Sequence, residues 1–216
     1  MRGVDSKRIV AAFAATAAAL VTMVARADDL PGAYGGHGVS FSYPTTWLHG
    51  PGQFEVTAGT PLWQEFFAPA PAPVTPTQPS PPTDPSQPPP QPQPQPQTVQ
   101  RDLVAVAAFH TNVAITKKLL PRLKPVLAVM VSRLAAQTGG ALLRGPQRVT
   151  MGGMAGYRFQ TTSKLDPATT TESRLVFVFK GRMEYFLNCQ HVQNGTYATE
   201  IEGGCDQVMK SFRLTK

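Results

Sequence analysis

The sequence predicts an α+β domain with a mainly antiparallel sheet, interrupted by a disordered proline-rich loop. Three observations carry that reading. Short stretches of apolar–polar alternation, or of unbroken apolar residues, recur from Val39 to Cys189, as half-buried and central strands do. Only Thr116 to Gln137 has long helical spacing, with a shorter helical stretch at Asp206 to Phe212. Between strand and helix signals, nearly every second or third residue of Ala68 to Gln97 is proline, a composition that helix and sheet interiors both reject.

In chain order, residues 1–27 read as a secretory signal peptide. Arg2, Lys7 and Arg8 form a basic start, Ile9 to Ala25 is an uncharged alanine-rich run, and Ala25 and Ala27 place small residues at the cleavage positions. The run is shorter than the ~20 apolar residues of a membrane helix, and Asp28 and Asp29 follow at once. The reading is therefore of an exported protein, secreted or associated with the cell envelope, with no stable transmembrane segment after cleavage. No cysteine stands near the cleavage point to carry a lipid. Cleavage reduces the chain's +7 charge to a mild +4.

The mature start, residues 28–38, is glycine-rich and polar and is expected to be a flexible, frayed terminus. One domain over 39–216 follows, with the proline-rich stretch inserted at 68–97. Val39 to Tyr43 alternates as a half-buried strand and Pro44 ends it. Trp47 falls in a Thr- and Gly-rich turn, and Phe54 to Val56 and Leu62 to Phe67 are further strand candidates.

Within the insertion, Pro73, Pro76, Pro79, Pro82, Pro85 and Pro88 recur every third residue, the period of polyproline II. Such a chain is extended and solvated, reaching up to roughly 90 Å at ~3.1 Å per residue. Val39 to Phe67 is too small to bury a core alone, so the stretch reads as a loop of one domain and not as a linker between two. Loop closure adds little to its cost, because closure entropy grows only as the logarithm of length.

After it, Leu103 to Phe109 has the continuous apolar character of a central strand. Leu123, Leu127, Met130 and Leu134 form one helix face. Pro121 and Pro125 place the regular helix from about Pro125, and Gly139-Gly140 stops it. Met154 to Leu165 is a strand around Tyr157 and Phe159. Arg174 to Phe179 and Met183 to Cys189, joined by Lys180-Gly181-Arg182, read as a hairpin. Val208, Met209 and Phe212 have the spacing of a short closing helix that begins at or just before Cys205.

Export and an even count favour a disulfide between the two cysteines, Cys189 and Cys205. With His191 nearby a zinc pair is conceivable, but the ligand set would be incomplete. His37, His49, His110 and His191 are widely separated, and no nucleophile elbow, His-Glu-x-x-His or phosphate-cradling glycine loop is present. Gly35, Gly36 and Gly38 precede a strand instead of opening a helix. Glu184, Glu200, Glu202 and Asp206 are the one acidic cluster and are expected to face solvent. No catalytic, metal or cofactor residue is therefore assigned, and the chain reads as no enzyme.

Between Asp102 and Asp166 there is no acidic residue, while Lys117, Lys118, Arg122, Lys124, Arg133, Arg144 and Arg148 all fall there. As a solvated helix face these charges need no partner. As a contact surface, segment 117–148 would meet anionic lipid or an anionic wall polymer through Lys117, Lys118, Arg122 and Lys124. Nucleic acid is not expected for an exported chain without interleaved aromatics there.

Three short motifs carry a resemblance: Phe41-Ser42-Tyr43-Pro44-Thr45-Thr46-Trp47, the turn Gly152-Gly153-Met154-Ala155-Gly156, and Val208-Met209-Lys210-Ser211-Phe212. With the element order, they resemble the PsbP/Mog-type αβα sandwich, in particular the LpqN-type exported envelope proteins of mycobacteria. The resemblance implies an αβα sandwich around the antiparallel sheet and a non-catalytic binding or accessory role, with an unknown envelope component as partner. The chain departs from those lipoproteins in lacking a lipid-bearing cysteine, and the proline-rich stretch is outside the family pattern.

Overall fold

The computed structural model describes residues 32–51, 60–70 and 101–215. The expected signal peptide, the Phe54–Val56 strand candidate and nearly all of the proline-rich stretch lie outside them. Nine strands and two helices are described: β1 (Ala33–Gly36), β2 (Val39–Ser42), β3 (Trp47–Pro51), β4 (Trp63–Pro69), β5 (Leu103–Ile115), α1 (Leu120–Gln137), β6 (Leu142–Met151), β7 (Met154–Lys164), β8 (Thr170–Val192), α2 (Ala198–Ser211) and β9 (Arg213–Leu214). The main sheet has six strands in the order β3-β4-β5-β8-β7-β6, and β1-β2-β9 form a smaller one. All pairings are antiparallel.

The architecture is an αβα sandwich. Alternation on the strands sends alternate side chains to opposite faces. On one face, Trp47, Phe67, Val106 and Leu187 meet Ile201, Cys205 and Val208 of α2, with Phe41 of the small sheet and Phe212 beside them. On the other, Phe109, Phe159, Phe177 and Phe186 meet Leu120, Leu123, Leu127 and Val131 of α1. Ala70 and Arg101, on either side of residues 71–100, flank β4 and β5, which pair directly through Phe67↔Val104.

Several expectations are corrected. Residues 33–36 form β1 instead of a frayed terminus, because each pairs with β2 across the His37–Gly38 turn, where both residues have positive φ. Trp47 opens β3, where its indole is held under α2. The expected hairpin around Gly181 does not form. β8 is one strand of 23 residues, its first half paired with β7 and its second half with β5. Gly181, at φ 61°, sits where the β5–β8 register shifts, so the glycine marks an irregularity in a strand and not a reversal.

Helix α1 starts at Leu120 and not at Pro125. Pro121 occupies the first turn, where its missing N–H costs nothing, and Pro125 forgoes one ladder bond that the buried face outweighs. The helix ends as expected, with Gly139 at φ 66° and the Gly140 N–H donating to the Ala135 carbonyl.

Helix α2 is a turn and more longer than expected, starting at Ala198. The low helix propensity of Gly203-Gly204 hides its first half. The two glycines differ. A Cβ on Gly204 would lie 2.2 Å from Cη2 of Trp47, whereas one on Gly203 would meet nothing within 4 Å. Gly204→Ala should therefore cost about 1–3 kcal/mol by forcing the indole aside. Gly203→Ala should add up to about 1 kcal/mol. Urea unfolding of the two variants checks the opposite signs.

The cysteines form the expected disulfide, with Cα atoms 5.9 Å apart, joining the end of β8 to α2. Both are fully buried. A structural disulfide of this kind belongs to a chain that matures in an oxidising compartment.

Candidate functional site

At one end of the main sheet β5 finishes at Ile115 and the chain turns into α1. Thr116 fixes that turn, its carbonyl accepting from the N–H of Leu119 and of Leu120. The β6–β7 connection comes to the same end. Gly152 and Gly153 have φ of 57° and 75°, the two positive values that a tight two-residue hairpin turn requires. A Cβ on Gly153 would again meet open space. Phe179 and Lys180 of β8 and Leu214 of β9 complete the surround.

Together these segments line a cavity of about 260 Å³ that is half open to solvent. Its floor is apolar: Ile115, Leu120, Met154 and Phe179 line it and are each less than a tenth exposed. Lys117 and Lys180 stand at its edge, both exposed, and no carboxylate or imidazole lines it. The arrangement can hold a molecule with an apolar body and a negatively charged end.

Of the basic residues singled out from sequence, only Lys117 reaches this cavity. Lys118 is exposed in the same turn, and Arg122 and Lys124 are exposed on α1. Two residues apart on a helix of 3.6 residues per turn, Arg122 and Lys124 point about 200° apart and do not share a face. Lys180, the second cation of the cavity, is missed by sequence reasoning. It comes beside Lys117 only because Ile115 pairs with Gly181, a register that Lys180-Gly181-Arg182 does not reveal.

The acidic cluster is also redistributed. Glu200 accepts from Nε1 of Trp47 at 2.6 Å, while Glu202 and Asp206 pair with Arg174, and Glu202 lies 3.5 Å from Nε2 of His191. Glu184, expected at the surface, is buried on β8 opposite Phe109. Burial pushes its carboxyl up to about 8, so it is mostly neutral at pH 7. Among the described residues neither its Oε1 nor Oδ1 of Asn188 makes a hydrogen bond.

A second buried carboxyl, Glu65, accepts from the hydroxyl of Tyr34 at 3.4 Å and lies 3.7 Å from Nε2 of His37. The His37 ring stacks on Trp63. His49 is packed against Phe67, and His110 is exposed on β5. Among the described residues no cluster of three or more His, Cys, Asp or Glu side chains is placed to hold a metal ion. Nor is any described helix long and apolar enough to cross a membrane.

No protein-family profile matches the chain, and no curated protein matches it. Solved structures do. Cyanobacterial PsbP from Synechocystis is similar over 88% of this chain and 97% of its own, at 10% identity and a TM-score of 0.53. The fold is PsbP-like. A Bacteroides thetaiotaomicron protein is similar over 83% of this chain at 13% identity and a TM-score of 0.43, and this chain spans 46% of that protein's length. LpqN, described as involved in cell envelope biogenesis of Mycobacterium tuberculosis, is similar over 85% of this chain and 88% of its own, at 11% identity and a TM-score of 0.42. Within the PsbP-like fold, the cavity lies where the ends of β5 and β8, the β6–β7 turn and the start of α1 converge.

Proposed function

We propose that this chain is an exported, non-catalytic binding or accessory protein of the cell envelope that holds a small ligand in the cavity at the end of its sheet. One observation carries the reading. The cavity has an apolar floor and two ammonium groups at its edge, and no acid–base pair lines it. Such a site retains a molecule by desolvation and charge and has no described side chains arranged to transform it. The buried disulfide and the signal-like residues 1–27 support the exported location.

Exposing the purified protein to a small-molecule extract of cell envelopes should give an adduct in native mass spectrometry. Leu214→Trp, which fills the cavity edge from the two-residue strand β9, should lose that adduct while retaining the parent's unfolding temperature. An absent adduct, or one that a folded Leu214→Trp holds equally well, overturns the reading.

A second reading is docking on anionic lipid or wall polymer through the exposed Lys117, Lys118, Arg122 and Lys124, with Arg122 and Lys124 reaching the polyanion from different sides of α1. It predicts low-salt co-sedimentation with anionic vesicles that a triple charge reversal of Lys118, Arg122 and Lys124 abolishes without touching the cavity.

A further inference from the structure

The two cations at the cavity come from different elements. Lys117 belongs to the turn after β5, and Lys180 sits in the middle of β8. They meet at one opening only because β5 and β8 are neighbours there, through Ile115↔Gly181. Both side chains are exposed, so the cations remain hydrated and available, and no acidic residue lines the cavity to neutralise them. Behind them the lining changes character abruptly: Leu120, Met154 and Phe179 are buried apolar side chains drawn from the two cores on opposite faces of the sheet. Gly152 and Gly153 form the tight turn on one side of the opening, and a Cβ on Gly153 would meet nothing within 4 Å.

Charge at the mouth and hydrocarbon at the back make a polarised site. It is half open to solvent, and its volume of about 260 Å³ suits an anionic head with a short chain. A bare inorganic anion would leave the apolar lining unused, and a neutral hydrocarbon would leave the lysines unused.

We infer that the ligand is an anionic amphiphile with one short apolar chain, its carboxylate or phosphate held between Lys117 and Lys180 and its chain on Leu120, Met154 and Phe179. This inference rests on the binding role proposed above and adds the chemical class. Contact with the lysines is through the hydrogen-bond donors of two point charges, which suit a carboxylate or a phosphate oxygen.

The test is a calorimetric titration of the protein with butyrate, hexanoate, octanoate and decanoate, alongside octanol and octyl phosphate. Affinity should rise about fourfold per added methylene and level off once the chain exceeds what the cavity holds. Octanol should bind at least tenfold more weakly than octanoate. Lys117→Gln and Lys180→Gln should each weaken octanoate and leave octanol unchanged. Octyl phosphate binding more tightly than octanoate would indicate a phosphorylated lipid fragment as the source, and the reverse a free acyl carboxylate; either supports the class.

Equal affinity for octanol and octanoate, or no dependence on chain length, overturns the inference. If none of these probes binds while the envelope-extract adduct persists in the parent and is lost from Leu214→Trp, the ligand class is wrong and the site stands. If the adduct is absent too, both fail.

Discussion

Replacing Glu184 by glutamine is expected to make the protein more stable in mildly alkaline solution and to change little in mild acid. The carboxyl is held up at about 8 by burial, against an ordinary value of 4.5. The folded chain therefore keeps a proton that the unfolded chain releases above pH 4.5. A raised carboxyl leaves stability intact below the unfolded value and drains it as pH climbs towards the folded one. At about 1.4 kcal/mol for each unit of pH, the accumulated loss at pH 8 is roughly 4 kcal/mol. Glutamine carries no proton to lose, so Glu184→Gln should match the parent near pH 5 and exceed it by about that amount at pH 8. Urea unfolding of the two proteins across this range measures the difference, and parallel pH profiles would show that Glu184 is not buried in solution. The comparison isolates one group because every other titrating side chain is common to both proteins.

The second large effect concerns the bond between Cys189 and Cys205. It closes a loop of fifteen intervening residues, and in the chain-entropy model that is worth about 3 kcal/mol. It also clamps α2 onto β8, beside the contacts of Ile201 and Val208 with the core. Reduction should lower the stability by about that amount, and the double variant Cys189→Ala and Cys205→Ala by more, since deleting the buried sulfurs also leaves space behind. Alkylation followed by mass spectrometry supplies the independent check: the native protein should take up no label until it is reduced. An unfolding midpoint indifferent to reductant would refute the structural role.

Much of the sheet was legible in the sequence because the strands with one face in a core declare it by alternation, as Val39–Ser42 and Met154–Lys164 do, or by an unbroken apolar run, as Leu103–Phe109 does. Helix α1 was legible for the same reason, its leucines recurring on one stripe. β6 was not: apart from Met151 at its end, its residues are exposed or half-buried, so an edge strand containing Gly145 and Pro146 carries no period to read. β1 and the first half of α2 were hidden by glycines. Gly35 and Gly36 pair in a sheet, and Gly204 is in a helix because Trp47, more than 150 residues earlier, needs the space a Cβ would fill. In each case a distant contact overrides the local preference.

The candidate site was only half legible. Lys117 stood out through its place in a segment without acidic residues, but Lys180 looked like a turn residue, and its partnership depends on which strand lies next to which. By itself the sequence determined the α+β class, the principal strands, the long helix and the pairing of its only two cysteines. Periodicity and the cysteine count fix those, and both are local or compositional. The tertiary structure decided that β8 is one strand serving two neighbours, that Glu184 is enclosed, and that two lysines 63 positions apart share one cavity. Register, burial and convergence come from which elements pack together, and no window of sequence contains that information.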